Sequence, residues 1–174
     1  IAKGMIDMAN KIYLTLLIPA YNEEKIIEST LEKVLNFLSK KKFGWEVIVI
    51  DDGSDDKTSK IVKKFGKSGV VLVSYKKNRG KGRALKEGVN KALGDYIIFS
   101  DADLSVDISS VDEMLKALKK SDFVVGSRRI PGARILVHQP LLRELMGRGY
   151  TELTRLVTGV GLADFTCGFK GFRK

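Results

Sequence analysis

Acidic side chains follow three apolar runs of the sequence, at the point where each run ends. In chain order the motifs are Tyr21-Asn22-Glu23, Asp51-Asp52 and Asp101-Ala102-Asp103. Short runs rich in Val, Ile and Leu that alternate with helical patterns predict strands of a parallel sheet. Ligands bind at the carboxyl ends of such strands, where the loops converge. Carboxylates gathered at that edge repel one another unless a cation or hydrogen-bond donors offset their charge.

Asp101 and Asp103 have the spacing of a divalent-cation site. They stand two residues apart at the end of an extended run, so both side chains can point to the same side. Mg²⁺ and Mn²⁺ are commonly held by one or two protein carboxylates together with substrate phosphates. An isolated Asp-x-Asp is more often a pair of loop acids that bind lysines or cap a helix. The two other acidic strand ends favour the metal interpretation here.

Two further motifs have the chemistry of nucleotide binding. The turn Asp51-Asp52-Gly53-Ser54 is either a plain turn or a place where a carboxylate accepts hydrogen bonds from a base or a ribose. The turn 78–83 carries glycines and cations into a predicted helix, whose N-terminus attracts phosphate. It is not a P-loop, because its glycine spacing differs and the Lys-Ser/Thr pair is missing. His138 is the only histidine, so we expect chemistry that does not depend on imidazole.

The elements that must position these residues are those of an α/β domain with a mainly parallel sheet flanked by helices. Predicted strands cover 13–19, 45–50, 70–75, 96–100 and 123–126, and predicted helices alternate with them. Asn22 is the predicted N-cap of the first helix, with Gly44 as its stop, and Leu93 is expected on the apolar face of the third. Residues 128–139 are predicted as a loop, 141–157 as a helix and 164–174 as a turn plus a short strand.

Composition limits the class of protein. The 174 residues suit one domain, with 31 Lys and Arg against 21 Asp and Glu, a net charge of +10. This charge favours anionic partners such as nucleotide phosphates, lipid phosphates or an acidic membrane surface, although scattered lysines equally make a solvated surface. No aromatic-rich basic strand supports nucleic-acid binding. Cys167 is the single cysteine, which suits a reducing compartment, and no apolar run approaches the ~20 residues of a spanning helix.

The motifs together resemble those of family 2 glycosyltransferases with the GT-A fold, most closely the dolichyl- and polyprenyl-phosphate hexosyltransferases. The resemblance extends from Tyr13 to the end of the chain. The motifs that carry it are Ile18-Pro19-Ala20-Tyr21-Asn22-Glu23-Glu24, Val49-Ile50-Asp51-Asp52-Gly53-Ser54, Asn78-Arg79-Gly80-Lys81-Gly82, Asp101-Ala102-Asp103-Leu104 and Gly126-Ser127-Arg128. The segment Asp164-Phe165-Thr166-Cys167-Gly168-Phe169-Lys170 resembles the β-glucosyltransferases more than the mannosyltransferases. Residues 13–174 are accordingly expected to form the catalytic domain, truncated at its C-terminus, and 1–12 an N-terminal extension or remnant.

The resemblance also implies a function and the residues that serve it. The function is transfer of a hexose from UDP-glucose or GDP-mannose to a dolichyl or polyprenyl phosphate, with inversion, at the cytoplasmic side of a membrane. The implied catalytic residues are Asp101, Asp103 and Arg128, of which Asp101 and Asp103 would bind Mg²⁺ or Mn²⁺. The implied nucleotide-sugar pocket is lined by Pro19, Ala20, Tyr21, Glu23, Asp52, Lys81, Asp101, Ala102 and Asp103. The residues implied at the acceptor phosphate are Arg128, Arg129, Lys170 and Arg173.

Two alternatives remain at this point. A family 2 transferase acting on a sugar hydroxyl would need a catalytic base, for which Asp164 is the one late candidate. A non-catalytic nucleotide-binding or receiver-like module would explain Asp51-Asp52 but leaves the Asp-Ala-Asp pair and the early Tyr-Asn-Glu loop unexplained. The sequence also departs from the mannosyltransferase pattern at Ser105-Val106, where Gln followed by His or Pro is common. A metal-ligand role for Ser105 is therefore not expected.

Overall fold

The computed structural model describes residues 11–127 and 141–174. Its strands are β1 (Ile12–Ala20), β2 (Gly44–Asp51), β3 (Val70–Ser74), β4 (Tyr96–Phe99), β5 (Phe123–Val125) and β6 (Lys170–Arg173). Its α-helices are α1 (Ile27–Leu38), α2 (Thr58–Lys63), α3 (Lys81–Lys91), α4 (Ser110–Leu118) and α5 (Leu141–Thr158). No helix in these two ranges combines the length and the apolar character needed to cross a bilayer.

The six strands form one sheet in the order β3-β2-β1-β4-β6-β5. Strand β1 pairs in parallel with β2 and β4, and β2 pairs in parallel with β3. The last strand, β6, lies between β4 and β5 and is antiparallel to both. The predicted α/β architecture with a mainly parallel sheet is confirmed. The sheet places the ends of β1, β2 and β4 side by side, each followed by one of the acidic motifs.

Helices cover both faces of the sheet, which explains why β1 and β2 are apolar along most of their length. Alternate residues of β1 such as Leu14 and Leu16 pack with α1, α2 and α4 in one cluster. Leu17 points to the other face and packs in a second cluster with Ile50 and with Ala84 of α3. The period of two along the strand divides its side chains between these two cores. The sheet is therefore held rigidly on both sides of the edge that carries the acids.

The first helix begins later than predicted. Asn22 is not its N-cap: α1 begins at Ile27, and Asn22 has a left-handed backbone with φ 55°. Its Oδ1 accepts the Asp55 amide at 3.0 Å, and its own amide donates to Ser54 Oγ at 2.9 Å. Asn tolerates the left-handed conformation because its short polar side chain bonds locally. Asn22 therefore joins the loop after β1 to the loop after β2.

Two smaller expectations about helix ends were also wrong. Helix α1 ends at Leu38, and Gly44 begins β2. Leu93 follows the end of α3 at Lys91, and 69% of its surface is exposed, so it does not extend the apolar face of that helix. Its amide instead donates to Glu46 Oε1 at 2.6 Å. Both differences concern boundaries and leave the order of elements as predicted.

Candidate active site

A cleft of about 360 Å³ lies at the carboxyl ends of β1, β2 and β4. All the residues expected in the nucleotide-sugar pocket line it: Pro19, Ala20, Tyr21, Glu23, Asp52, Lys81, Asp101, Ala102 and Asp103. Asn78, Gly80 and Ala84 complete the lining. The three acidic motifs therefore meet at one cavity, which the glycine-rich turn before α3 also lines.

The Asp-Ala-Asp loop after β4 is held by groups from several elements. Thr30 of α1 donates its hydroxyl to the Ala102 carbonyl at 2.6 Å, in a buried position. Ser105 donates its amide and its hydroxyl to Asp103 Oδ1 at 2.9 and 2.8 Å. Leu104 has φ 49°, a left-handed conformation that is uncommon outside glycine and that turns the chain sharply. The loop is thus held by its surroundings, and Ser105 orients the Asp103 carboxylate through two hydrogen bonds.

A cation already accompanies one of the two carboxylates. Lys81, at the start of α3, donates its Nζ to Asp101 Oδ1, and both side chains are partly exposed. Asp103 is exposed at the mouth of the cleft. This part of the cleft therefore accommodates positive charge beside hard oxygen ligands, the donor set that suits Mg²⁺ or Mn²⁺. Within the described ranges no set of three or more His, Cys, Asp or Glu side chains is arranged to bind a metal ion.

The neighbouring acids change the pKa of Glu23. Burial raises the pKa of the Glu23 carboxyl, and the negative charges of Asp103, Asp56 and Asp101 raise it further. The Glu23 amide donates to Thr58 Oγ1 at 2.8 Å, which ties the loop after β1 to the first residue of α2. A side chain held among like charges favours a bound cation, because a cation lowers the free energy of its ionised form.

Asp52 lies deeper than the other acids of the cleft. It is 3% exposed, and its Oδ1 accepts the Arg79 amide at 2.9 Å. The neighbouring Gly53 has φ +79°, and a β-carbon there would lie 2.7 Å from the Asn78 amide nitrogen. The turn after β2 therefore packs directly on the backbone of the turn before α3. This contact places Asp52 and the glycine-rich turn on one wall of the cleft.

Tyr75 is a residue that the sequence analysis did not select. Its hydroxyl is buried and lies close to the Asp52 carboxylate, but it makes no hydrogen bond of normal geometry with any described residue. Burial raises the pKa of the Tyr75 phenol, and the nearby Asp52 carboxylate adds to the effect. The Arg79 guanidinium lies over the Tyr75 ring, 5.6 Å from its centroid. A tyrosine at the end of an apolar strand has no sequence pattern that would have distinguished it from an ordinary core residue.

The residues expected at the acceptor phosphate are separated by the structure. Arg128 and Arg129 lie outside the described residues. Lys170 begins β6 opposite Phe99, close to the cleft end of the sheet, and its Nζ donates to the Phe165 carbonyl at 3.0 Å. Arg173 lies opposite Tyr96 at the other end of β6 and pairs with Asp122. Because three residues of a strand span about 10 Å, the structure does not bring Arg173 to the cleft.

Comparison with known proteins identifies the family. The sequence model of glycosyl transferase family 2 matches residues 15–174. The chain belongs to this family. It is 34% identical, over 94% of its length, to a dolichyl-phosphate beta-glucosyltransferase of Trichomonas vaginalis, of which it covers 54%. It is 34% identical, over 99% of its length, to the dolichyl-phosphate beta-glucosyltransferase of Dictyostelium discoideum, of which it covers 56%. This family 2 chain thus spans about half the length of the curated relatives it matches.

A solved structure supports the fold of this family 2 domain. Glucosyl-3-phosphoglycerate synthase from Mycobacterium tuberculosis, solved with Mn²⁺, UDP-glucose and phosphoglyceric acid, superposes with a TM-score of 0.64 at 24% identity. The match covers 93% of this chain and 57% of the synthase. The GT-A fold expected from the motifs is therefore confirmed. The synthase shows that this fold can bind Mn²⁺. At 24% identity, the comparison establishes only the fold of this chain.

Proposed function

We propose that this chain is the catalytic domain of an inverting glycosyltransferase that moves a hexose from a nucleoside diphosphate sugar to a dolichyl or polyprenyl phosphate. The observation that carries the proposal is the meeting of Asp52, Asp101 and Asp103 at one cleft beside a glycine-rich helix N-terminus. The names of the relatives favour glucose as the sugar and dolichyl phosphate as the acceptor. UDP-glucose is accordingly the proposed donor, with GDP-mannose as the second candidate.

The cleft supplies separate surroundings for the two halves of a nucleotide sugar. Asp52 is buried beside Tyr75 and accepts a hydrogen bond from the Arg79 amide, so this side suits the base or the ribose of the donor. Asp101 and Asp103 would hold a divalent ion against the diphosphate, and Lys81 is a direct partner for phosphate oxygens. The N-terminus of α3, which begins at Lys81, adds unpaired backbone amides on the same side. Arg128 remains a proposed phosphate-binding residue on the strength of its motif.

The proposed reaction is an in-line displacement at the anomeric carbon. An oxygen of the acceptor phosphate forms the new bond as the bond to the donor diphosphate breaks, and the nucleoside diphosphate leaves with the electron pair. A bound Mg²⁺ or Mn²⁺ would stabilise the negative charge on this leaving group. Lys81 lies where it can contribute to the same stabilisation from the protein side. Fixed charges placed where charge develops are usually the largest catalytic contribution.

The acceptor phosphate is already anionic near neutral pH, so it requires positioning more than a general base. Asp164, the one candidate base for a hydroxyl acceptor, is 1% exposed. Its Oδ1 accepts the amide and the hydroxyl of Thr166 at 3.0 and 2.7 Å. This is the arrangement of a loop-stabilising carboxylate. It favours a lipid phosphate over a sugar hydroxyl as the acceptor, and family membership disfavours the receiver-like alternative.

A lipid phosphate acceptor places the proposed reaction at a membrane surface. We propose that this surface is anionic and faces the cytoplasm, where the net charge of +10 favours contact. The same charge does not require nucleic acid, and we propose no nucleic-acid partner.

A donor panel tests the proposal. Isothermal titration of the chain with UDP-glucose, UDP-galactose and GDP-mannose, with and without Mn²⁺, should show Mn²⁺-dependent binding that is tightest for UDP-glucose. Incubation of the preferred donor with a short-chain polyprenyl phosphate should then yield a glycosylated lipid phosphate, detected by mass spectrometry. Product on a free glycan in place of the lipid phosphate would support the hydroxyl-acceptor alternative. Absence of binding to every nucleotide sugar would contradict the proposal.

A further inference from the structure

The carboxylate of Asp101 lies directly against the backbone of Gly168, far away in sequence. A β-carbon built on Gly168 would come within 2.8 Å of Asp101 Oδ1 and 2.5 Å of its Cγ, and closer still to Oδ2. Real β-carbons do not approach other heavy atoms so closely, so any side chain at position 168 must displace that carboxylate. The space that a side chain would fill is the space that Asp101 occupies.

The glycine is required by space and not by backbone conformation. The described glycines with a left-handed backbone are Gly53, Gly69, Gly80 and Gly159. Gly168 is not among them, so an alanine could adopt its φ without strain. This distinguishes Gly168 from a glycine that merely permits a turn. The feature that excludes a larger residue is the Asp101 carboxylate itself.

The loop that presents Gly168 has little room to retreat. Cys167 and Phe169, on either side of Gly168, are 3% and 2% exposed and belong to the main core cluster. The Gly126 amide donates to the Phe169 carbonyl at 2.8 Å, which joins the loop to the end of β5. Asp164 closes the preceding turn through Thr166. An added side chain would therefore move the carboxylate and leave the loop in place.

We propose that Gly168 is a positioning residue that sets the place of the Asp101 carboxylate in the metal site. Asp101 has the Lys81 ammonium on Oδ1 and the Gly168 backbone beside its carboxyl group. The last loop of the described chain thus determines the geometry of an acid that follows β4. This inference rests on the proposed function, because it takes Asp101 to be a ligand of the divalent ion. It adds a residue outside the cleft lining to the machinery that holds the ion.

Substitution of Gly168 should separate metal affinity from folding. We expect Gly168→Ala to weaken Mn²⁺ binding at least tenfold and Gly168→Val to weaken it further, measured from the free Mn²⁺ signal in electron paramagnetic resonance. Thermal unfolding of Gly168→Ala should remain cooperative and within a few degrees of the wild type, because the displaced atoms are the end of a short side chain. Gly149→Ala is the matched control, since no atom lies within 4 Å of its β-carbon.

A double-mutant cycle tests whether Gly168 acts through Asp101. Asp101→Asn should lose Mn²⁺ affinity, and adding Gly168→Ala to it should cause no further loss, because coupled residues are not additive. Additive losses, a wild-type Mn²⁺ affinity in Gly168→Ala, or an unfolded Gly168→Ala would each overturn the positioning role. Failure of the wild-type chain itself to bind Mn²⁺, alone or with UDP or GDP, would instead overturn the proposed metal site, and the positioning role with it.

Discussion

At the scale of residues, each acid of the cleft is oriented by a different kind of partner. Lys81 pairs with Asp101, the Ser105 hydroxyl and amide donate to Asp103, and the Arg79 amide donates to Asp52. Hydrogen bonds to charged groups are stronger than neutral ones and direct the remaining oxygens. Each carboxylate can therefore be tested separately, since its partners differ from those of the others.

Asp103→Ala should abolish Mn²⁺-dependent donor binding and transfer while the fold stays intact. Asp103 is exposed, and its two donors are the amide and hydroxyl of Ser105, which is also exposed, so its removal leaves no buried group unpaired. Titration calorimetry with the preferred donor and thermal unfolding measure the two effects independently. Asp107→Ala removes another exposed acid four residues further along the chain, and it controls for a general loss of negative charge. Full activity in Asp103→Ala would show that the metal assignment is wrong.

Lys81→Met should change metal and donor binding in opposite directions. The Lys81 ammonium competes with a divalent ion for Asp101 when no nucleotide is bound, so its removal should tighten Mn²⁺ binding severalfold. With Mn²⁺ present, the variant should bind the donor several times more weakly, because a cation near the diphosphate is lost. Both affinities can be measured by titration with Mn²⁺ alone and then with donor. A parallel loss of both would mean that Lys81 only supports the structure.

Tyr75→Phe should change how the free energy of unfolding depends on pH in the alkaline range. Burial holds the pKa of Tyr75 above its ordinary value, so the folded chain keeps this proton where the unfolded chain releases it, above about pH 10. The unfolded state then binds fewer protons, and the free energy of unfolding falls as pH rises through that range. In urea denaturation, the free energy of unfolding of the variant should fall less steeply above pH 10 than that of the wild type. At pH 7 it should be equal or slightly higher. If the free energy of unfolding of the variant fell with pH as steeply as that of the wild type, the contribution of Tyr75 would be contradicted.

At the scale of elements, the loops after β1 and β2 behave as one braced unit. Asn22 contacts Ser54 and Asp55, and the Glu24 amide donates to Asp56 Oδ2 at 3.0 Å. Gly53 then packs this unit against the turn before α3. The walls of the cleft are therefore linked by hydrogen bonds between backbone amides and side chains and by the packing of Gly53 on the next turn, so a change in one turn should alter the position of its neighbour.

Gly53→Ala tests this coupling. Alanine at φ +79° costs about 1–2 kcal/mol from the left-handed backbone alone. The β-carbon would also press on the backbone at Asn78, which cannot rotate away as a side chain would. In urea denaturation, we therefore expect the free energy of unfolding to fall by more than this backbone cost alone, and we expect donor binding to weaken. Gly66→Ala is the matched control, because nothing lies within 4 Å of its β-carbon; equal effects of the two substitutions would contradict the coupling.

At the scale of the whole molecule, positive charge is the property most relevant to the lipid phosphate acceptor that we propose. A net charge of +10 attracts acidic surfaces over a distance set by the ionic strength, about 8 Å at physiological salt. Such attraction raises the concentration of the chain at an acidic lipid layer. It should therefore depend on lipid charge and on salt.

Vesicle sedimentation measures this attraction. The chain should co-sediment with vesicles containing 30% phosphatidylserine at low salt, bind several times less at 0.5 M NaCl, and show little affinity for pure phosphatidylcholine. Sucrose at the same osmolality as the added NaCl controls for osmotic effects. Equal binding to neutral and acidic vesicles would contradict the electrostatic contribution of the net charge.

The sequence by itself determined the order of the elements along the chain, and together with the family resemblance it identified most of the residues that line the cleft. Apolar runs identify β1, β2 and β4, and the polar residues that follow them must lie at the carboxyl edge of a parallel sheet. Pro19, Asp52 and Asp103 could be selected on this local pattern combined with the family resemblance. Local periodicity suffices here because neighbouring parallel strands all point the same way.

Only the tertiary structure decided the contacts between distant segments. The insertion of antiparallel β6 between β4 and β5 brings Gly168 against Asp101 and places Arg173 at the end of β6 that lies away from the cleft. Asn22 likewise bonds across to Asp55 where its residue type suggested a helix cap. Periodicity records which face of its own element a residue occupies, and it contains no information about which distant backbone will fill the space opposite.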